Sequence, residues 1–230
     1  MRNDIVYILK NGYNSEEIIY SIRSVCENFP YRKIWFYGGL PENITADVMV
    51  EVSQQGMSKW EKVNNTLKLI CQNDEITKDF WLFNDDFFVM KKVSNVQPMV
   101  GGTLWARVQR ISGRYGGRES SYAIQLKATA RLLRDNGYDR LDYALHVPML
   151  INRKKALETF KQFPNCPMFR SLYGNHHKIG GILTDDVKIM DTLYTPTGDE
   201  IFLSTDDKAF SEGKVGEYIR SVFPNRCKYE

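Results

Sequence analysis

The chain has no uninterrupted apolar run long enough to cross a membrane as a helix. Its formal net charge is only +3, which does not indicate a general binder of polyanions. The N-terminus, Met1-Arg2-Asn3-Asp4, leads straight into a strand-like segment, so we expect no signal peptide. These absences predict a cytoplasmic protein.

Cysteine is also scarce. The four cysteines are far apart and form neither a zinc-binding spacing nor a CxxC motif. They are Cys26, Cys71, Cys166 and Cys227. We expect reduced thiols in the core or at the surface.

The composition is that of an ordinary globular protein, with 43% hydrophobic and 26% charged residues. The 230 residues suffice for one substantial domain or two small ones. Because we find no linker, repeat or low-complexity segment, the sequence favours a single domain with an elaborated C-terminal half.

The most informative segment is Phe83-Asn84-Asp85-Asp86-Phe87-Phe88. Two adjacent acids follow an apolar run that has the hydrophobicity of a buried strand. Because a buried carboxylate without a partner is costly, the pair should face solvent at the end of that strand. Hard cations such as Mg²⁺ and Mn²⁺ take carboxylate and phosphate oxygens as ligands, which makes a metal site the first hypothesis. The alternative is a polar turn between the two strands of a hairpin.

The first 90 residues alternate between strand and helix patterns. Strands are predicted at Asp4–Leu9, Lys33–Tyr37, Asp47–Val52 and Asp79–Phe83. Apolar residues at helical spacing predict one helix behind a capping-box pair, Asn14 and Glu17, and another from Trp60 to Cys71. This alternation predicts an α/β fold with a mostly parallel central sheet flanked by helices. Ligands of such sheets bind at the carboxyl ends of the strands, where Asp85 and Asp86 lie.

After Met90, arginine recurs every three or four residues in a glycine-rich stretch. The series is Arg107, Arg110, Arg114 and Arg118. Arginine binds phosphate bidentately, so we interpret the stretch as a loop that closes on a diphosphate or grips an anionic acceptor. The alternative is a solvated helix face or basic loop.

The remaining elements are predicted more coarsely. A helix from Ala123 to Asn136 with Gly137 behind it, a strand from Val147 to Ile151 and a short helix from Lys154 to Phe163 precede an irregular tail from Asn165. Within that tail, Asp206 and Asp207 have the pattern of a helix N-cap.

The assembled pieces resemble the nucleotide-sugar glycosyltransferases of the GT-A type, with Asn84-Asp85-Asp86 in the place of their DxD-type metal motif. More closely, Asp4-Ile5-Val6-Tyr7, Tyr20-Ser21-Ile22-Arg23-Ser24-Val25 and the acidic segment resemble motifs of the Stealth family, bacterial capsule enzymes that transfer a hexose phosphate from a nucleotide sugar. The resemblance covers about the first 90 residues. It continues loosely through His146-Val147-Pro148, Phe169-Arg170-Ser171-Leu172-Tyr173 and Phe223-Pro224.

The resemblance implies a nucleotide-binding half over 1–90 and an acceptor-side half over 91–230, with Mn²⁺ or Mg²⁺ as the metal and a nucleotide sugar, foremost a UDP-sugar, as donor. The predicted metal ligands are Asp85, Asp86 and a histidine from the second half, His177 or His176. The predicted catalytic residues are Asp86, His146 as general base, and Asp186 in the rival pair Asp185-Asp186. The predicted donor-binding residues are Tyr7, Asn11, Gly12, Lys59, Asn64, Asn84, Arg110 and Arg114.

Three functions remain open. The first is a metal-dependent glycosyltransferase whose acceptor is a cell-surface glycan or, as for small GT-A enzymes of phage type, a hydroxymethylated DNA base. The second is a Stealth-type hexose-1-phosphate transferase of capsule synthesis. The third belongs to another class, a non-enzymatic domain that binds polyanions or nucleic acid through the arginine series. The oligomeric state is not readable from the sequence.

Overall fold

The computed structural model describes residues 2–12, 15–54, 58–114, 119–165 and 167–230. The helices are Glu17–Asn28 (α1), Lys59–Gln72 (α2), Leu104–Arg114 (α3), Ser121–Asp135 (α4), Arg153–Gln162 (α5), Phe169–His176 (α6), Asp207–Glu212 (α7) and Lys214–Val222 (α8). The strands are Asp4–Leu9 (β1), Ile34–Gly38 (β2), Val48–Glu51 (β3), Asp79–Phe83 (β4), Phe87–Val89 (β5), Met99–Val100 (β6), Met149–Asn152 (β7), Ile182–Leu183 (β8), Lys188–Ile189 (β9) and Phe202–Thr205 (β10).

A five-stranded sheet in the order β3-β2-β1-β4-β7 forms the centre of the fold, and only β7 runs antiparallel to its neighbour. Strands β1 and β4 have the predicted bounds because both are apolar on each face. Val6 and Leu82 pack with α2 and α5 in one apolar cluster, whereas Tyr7 and Phe83 pack with α1 in another. The predicted α/β fold with a mostly parallel sheet covered by helices is confirmed.

On one side of β1 lie β2 and β3, and on its other side lie β4 and β7. The strand order therefore reverses direction between β1 and β4. Tyr7 pairs with Phe83, so β1 and β4 end at the same edge of the sheet. Open sheets bind their ligands in the crevice at such a reversal, outside the carboxyl ends of the strands. The acidic pair that follows β4 therefore lies where the topology places a ligand.

A second, three-stranded sheet in the order β5-β10-β9 lies beyond the acidic pair. The turn after β4 thus leads from one sheet into another, and the hairpin interpretation is wrong because β4 and β5 are not partners. The prediction of an irregular tail from Asn165 is also wrong. That region contains α6, α7 and α8 and contributes β9 and β10, which find their partners through pairing that is distant in sequence.

The stretch with the arginine series is a helix over 104–114 rather than a loop. Its apolar residues Leu104 and Val108 are buried, one turn apart, so the helix has a core-facing side despite the neighbouring glycines. The predicted helix before Gly137 is confirmed as α4, and Gly137 adopts φ +73° at the position after the C-cap.

The predicted capping-box partner Asn14 lies outside the described residues. The pairing is therefore not tested. Glu17 itself is 2% exposed, and its Oε1 accepts a hydrogen bond from the Thr205 hydroxyl at 2.6 Å. Its backbone N–H donates to the Ser15 hydroxyl. In contrast, the predicted N-cap at Asp206 is confirmed by its hydrogen bond from the Ala209 N–H.

No helix in the described parts of the chain is both long and apolar enough to cross a membrane.

A buried carboxylate, Asp4, secures the start of the central sheet. Arg32 donates to its two oxygens at 2.7 and 2.6 Å, and Trp35 Nε1 and the Thr77 N–H donate at 3.0 and 3.1 Å. Asp4 is fully buried, so these donors replace the water it loses on folding. They join β1, β2 and the segment before β4.

We predict that Asp4→Ala lowers the free energy of unfolding by about 3 kcal/mol, because it leaves an indole N–H, a backbone N–H and part of a guanidinium unpaired. The matched control is Asp74→Ala. Asp74 also pairs with an arginine, at 2.9 Å, but its side chain is 98% exposed, so we expect a change below about 0.5 kcal/mol. Urea unfolding of both variants makes the comparison, and equal losses would contradict it.

Candidate active site at the carboxyl edge of the sheet

The acidic pair occupies the turn between the two sheets. Asn84 is exposed, whereas Asp85 and Asp86 are half-buried, so the expected solvent-facing pair is found only in part. Asp86 Oδ2 accepts hydrogen bonds from Lys188 Nζ and from the Ser204 hydroxyl, the latter at 3.0 Å. Its Oδ1 is buried and has no hydrogen-bond partner among the described residues. One oxygen of Asp86 is therefore fixed by the second sheet, and the other is left to a ligand.

Lys188 is a cation that the sequence interpretation missed. It lies on β9, and its ammonium group also binds the carbonyl oxygen of Thr205 on β10. Its side chain is 19% exposed and that of Asp86 13%, so the ion pair is largely shielded from water. The ammonium group holds Asp86 against the edge of the second sheet.

Negative charge is concentrated around this pair. Burial and the neighbouring Asp86 raise the pKa of Asp85 to about 6, and burial raises the pKa of Glu17 to about 7 despite its hydrogen bond from Thr205. Both groups feel the other acids and are relieved in part by Lys188. The site thus lacks positive charge relative to its carboxylates, which favours a cation as ligand.

A second group of charged residues centres on Asp186. His146 donates its backbone N–H to Asp186 Oδ1 at 3.0 Å, and its ring Nδ1 lies 3.0 Å from each carboxylate oxygen. Arg107, which is 8% exposed, binds Asp186 Oδ2 at 2.5 Å. Burial alone would raise the pKa of Asp186, but His146 and Arg107 outweigh it and hold the pKa below its ordinary range. The structure thereby brings the two predicted catalytic residues His146 and Asp186 into one dyad.

Arg170 connects the two groups. Its Nη1 donates to the carbonyl oxygens of Leu145 and Val147, on either side of His146, at 3.1 and 2.6 Å. Its guanidinium lies 5.3 Å from the ring centre of Phe87, and the same ring meets His146 edge-on at 6.3 Å. Burial lowers the pKa of Arg170 to about 10, while the charges of Asp86 and Asp186 oppose that change. Arg170 thus lies within electrostatic reach of both acids.

Two predicted donor-binding residues lie at the same edge of the sheet as the acids. Asn11 and Gly12 follow β1 and are exposed, and the Asn11 side chain donates to the carbonyl of Val52 beyond β3. Together with Asn84 they flank the reversal point of the sheet. Tyr7 does not face this edge. It is fully buried, and its hydroxyl is 3.0 Å from that of Ser21 on α1, because alternate residues of β1 point to opposite faces.

Helix α2 begins near this edge, because it follows β3, which runs parallel to β2. Lys59 is the first residue of the helix and is exposed, with its ammonium group 5.7 Å from the Trp60 ring, whereas Asn64 is half-buried. The Trp60 ring stacks on Tyr122 of α4 at 6.1 Å, and Tyr122 in turn is close to Arg107. The start of α2 is therefore joined to the Asp186 group through two aromatic rings.

The structure does not bring His177 to the acidic pair. Its Nε2 lies 3.0 Å from the Thr159 hydroxyl and 2.8 Å from the carbonyl of Lys155, both on α5. Helix α5 follows Asn152, which pairs with Asp79 at the opposite end of β4 from the acids. The sequence offered no means to decide which end of the sheet a histidine on a distant helix would occupy.

The predicted phosphate-binding arginines are separated in role. Arg107 is paired with Asp186, and its Nε lies 4.0 Å from Asp142 Oδ2. Arg110 is exposed on the same helix. The side chain of Arg114 and the whole of Arg118 lie outside the described residues. Arg110 is thus the one member of the series whose described side chain is open to a ligand.

The residues fit a hard divalent cation that is completed by its substrate. The described residues hold no group of three metal-ligating side chains that would form a closed metal site. The unpartnered Oδ1 of Asp86 and the carboxyl group of Asp85 would hold such an ion. Magnesium is commonly bound by one or two carboxylates together with substrate phosphates and water, which matches this donor set.

Neither the family models nor the curated proteins contain a match to this chain. Among solved structures, the chain is similar to the galactosyltransferase LgtC in complex with donor and acceptor sugar analogues, with 12% identity over 99% of this chain and 97% of LgtC and a TM-score of 0.48. An active-site mutant of LgtC gives 13% identity over the same shares and a TM-score of 0.47. The glycosyltransferase GlyE of Streptococcus pneumoniae gives 9% identity over 83% of this chain and 47% of GlyE, with a TM-score of 0.37. All three similarities are distant, and they concern the fold alone.

We predict that Asp186→Asn lowers the free energy of unfolding by about 3 kcal/mol at neutral pH, because it leaves the buried Arg107 without its closest carboxylate. The adjacent, exposed Asp185→Asn is the control and should change stability by less than about 0.5 kcal/mol. Because the folded-state pKa of Asp186 is depressed, its contribution is present above its unfolded pKa of about 3.9 and is lost as the pH falls below that value.

The gap between the wild type and Asp186→Asn should therefore narrow in acid. Denaturant unfolding at neutral pH and at pH values below about 3.9 measures it. If the difference in the free energy of unfolding between the two proteins stays constant over this range, the charge of Asp186 does not contribute to stability.

Proposed function

We propose that this chain is a metal-dependent glycosyltransferase, which moves a sugar from a nucleoside-diphosphate sugar to an acceptor hydroxyl. The observation that carries the proposal is the pair Asp85 and Asp86 at the strand reversal of the sheet, where one oxygen of Asp86 is buried and has no partner in the part of the chain that the structure describes. A bound Mg²⁺ or Mn²⁺ would neutralise the charge that develops on the departing diphosphate. Asn11, Gly12 and Asn84 line the edge where the nucleotide of such a donor, foremost UDP, would lie.

The dyad of His146 and Asp186 suits the acceptor side of the reaction. With Nδ1–H donated to Asp186, Nε2 carries the free electron pair and forms no hydrogen bond within the described residues. A histidine so oriented can take the proton of an acceptor hydroxyl as that oxygen attacks. Arg107 keeps Asp186 ionised, which favours the imidazolium that forms.

The two transferase reactions differ in which atom of the donor the acceptor attacks. In glycosyl transfer the acceptor attacks the sugar carbon and a nucleoside diphosphate leaves. In Stealth-type transfer it attacks the phosphorus next to the sugar, and a nucleoside monophosphate leaves.

The convergence of the motifs favours the Stealth-type reaction as the second candidate. Ser21 and Ser24 of the Tyr20–Val25 motif bind the carbonyl of Phe87 and the N–H of Val89, directly behind the acidic pair. Arg170, from the more loosely matching segment Phe169–Tyr173, binds the carbonyls that flank His146. Three segments that are separated in sequence and carry the Stealth resemblance therefore adjoin one site.

A donor screen decides between these reactions. Nucleotide sugars are incubated with the protein and Mn²⁺, with and without EDTA, and the released nucleotide is identified. Nucleoside diphosphate indicates glycosyl transfer and nucleoside monophosphate indicates phosphoglycosyl transfer. If no donor is consumed with any acceptor tested, glycan or hydroxymethylated DNA, the transferase proposal fails.

We predict that UDP or GDP binds only in the presence of Mn²⁺ or Mg²⁺, and that Asp86→Asn lowers this affinity at least about tenfold. Asparagine preserves the size of the side chain and its hydrogen bond from Ser204 but removes the charge that the metal needs. Asp199→Asn, at a 92% exposed carboxylate, is the control and should bind normally. Calorimetry with each nucleotide measures the effect. Binding that persists unchanged in EDTA would exclude the metal.

We predict that Arg110→Ala weakens donor or acceptor binding without measurable loss of stability, since Arg110 is exposed. In contrast, Arg107→Ala should lower the free energy of unfolding by about 3 kcal/mol, because it leaves Asp186 without its buried cation. The salt dependence of binding identifies the anion. A few contacts to a donor diphosphate give a shallow slope, and a DNA backbone gives a steep one. Tight, steeply salt-dependent DNA binding that survives Asp86→Asn would favour the non-enzymatic polyanion-binding domain.

A further inference from the structure

Two cysteines that are far apart in sequence meet on the side of α1 that faces the C-terminal segment. The backbone N–H of Cys227 and the guanidinium of Arg23, one turn before Cys26 on α1, bind the same carboxylate oxygen of Glu230, and the two thiols are near enough to perturb each other's ionisation. Both cysteine side chains are half-buried. Both pack against the same apolar cluster, which includes Phe29 and Tyr229. The two sulfur atoms are therefore neighbours in the fold although about 200 residues separate them along the chain.

Several contacts fix the C-terminal segment, which carries Cys227, close to α1, which carries Cys26. Arg23 of α1 binds both carboxylate oxygens of Glu230 at 2.8 and 2.6 Å, and Thr45 donates its N–H and its hydroxyl to the carbonyl of Tyr229. The Tyr229 hydroxyl donates to Asp47 at 2.6 Å. A disulfide requires its two Cα atoms to lie within a narrow range of distances, so a C-terminal segment fixed against α1 favours its formation.

The environment of Cys26 favours the thiolate. The Cys227 thiol, the Tyr31 hydroxyl 3.5 Å away, and the ammonium group of Lys228 lower the pKa of Cys26, against burial and the charge of Asp47. The contact with Cys26 and burial raise the pKa of Cys227. Cys71 differs, because burial in the core raises its thiol pKa to about 12. Because the Tyr31 hydroxyl contacts Cys26 and Cys26 lines a cavity together with Lys228, we assign Cys26 the attacking role and Cys227 the resolving role.

Cys26 also opens into a cavity of about 470 Å³ that four cationic side chains line. They are Arg2, Arg32, Lys92 and Lys228. Arg32 is already paired with Asp4, and Glu27 is the one acid in the lining. This excess of positive charge would attract a small anionic reagent to the thiolate.

From this geometry we propose that Cys26 and Cys227 form a thiol–disulfide exchange site, which an anionic low-molecular-weight disulfide converts into an intramolecular bond. In the first step the Cys26 thiolate attacks one sulfur of the reagent and expels the other as a thiolate. In the second step Cys227, having lost its proton to solvent, attacks Cys26 Sγ and expels the remaining half of the reagent. Two protein thiols are oxidised, and one disulfide is reduced to two thiols. The proposal is independent of the transferase activity.

The test uses the full chain with Cys166→Ser, which removes the thiol that lies outside the described residues. After incubation with oxidised glutathione, we expect the protein to lose two thiols and two hydrogens in mass and to yield a cross-linked pair of peptides containing Cys26 and Cys227. Adding Cys227→Ser should instead trap a stable glutathione adduct on Cys26. In the Cys26→Ser variant, Cys227 should react at least about tenfold more slowly than Cys26 does in the Cys227→Ser variant, because Cys227 is not among the residues that line the cationic cavity.

Cys71→Ser is the matched control, and Tyr31→Phe is a further test variant. Tyr31→Phe should slow adduct formation at Cys26, because it removes a donor to the thiolate, whereas Cys71→Ser should change nothing. The proposal is overturned if Cys26 keeps a glutathione adduct while Cys227 is present, or if Cys26 reacts no faster than Cys71. Thiol counts and masses are the readouts, so the outcome does not depend on whether the protein is an active transferase.

Discussion

A carboxylate beneath the surface must find a cation or hydrogen-bond donors, and the architecture around the candidate site follows from that constraint. Asp4 is satisfied by Arg32, Trp35 and Thr77 at the amino end of the central sheet. Two further acids, Asp86 and Asp186, lie beyond the opposite, carboxyl end. Each of these two takes its cation from a part of the chain roughly 80 to 100 residues away. The ion pairs therefore determine which segments of the second half meet the edge of the first.

The polar face of α1 serves the same purpose with neutral groups. Ser21 donates to the carbonyl of Phe87, Ser24 accepts the N–H of Val89, and Asn28 donates to the carbonyl of Val89. All three side chains are buried, and they bind the edge of β5 that β10 does not use. A helix expected only to cover the sheet thereby also pairs a strand of the second sheet. This pairing holds the backbone just after the acidic pair, which is a condition for a well-placed ligand site.

The central sheet was predictable because its determinants are local. Apolar runs and helical spacing indicated β1, β4, α1 and α2 within a few residues, and the acidic pair was recognisable from its position after β4. The second sheet was not, since β9 and β10 are short and depend on partners about 15 and 115 residues away. Arg170 was included in the sequence interpretation only as part of a resemblance, and Lys188 was not identified as a site residue. The position of Lys188, two residues after the pair Asp185-Asp186, could have indicated a partner for an acid. The burial of Glu17 was not predicted, because a capping acid and a buried acid look alike in sequence.

The two adjacent acids have unequal environments, and this inequality bears on what each can do. Asp86 is fixed by Lys188 and Ser204 and has a single oxygen left over. Asp85 faces the concentrated negative charge of the cluster, and its raised pKa reflects burial and the charge of Asp86. A divalent cation would relieve that repulsion, so its binding would be coupled to loss of a proton from Asp85. Lys188 already supplies one positive charge, which reduces the repulsion between the acids but does not remove it. Under the proposed function, the carboxylates would attract the cation, and only the bound cation would make the site favourable for an anionic diphosphate.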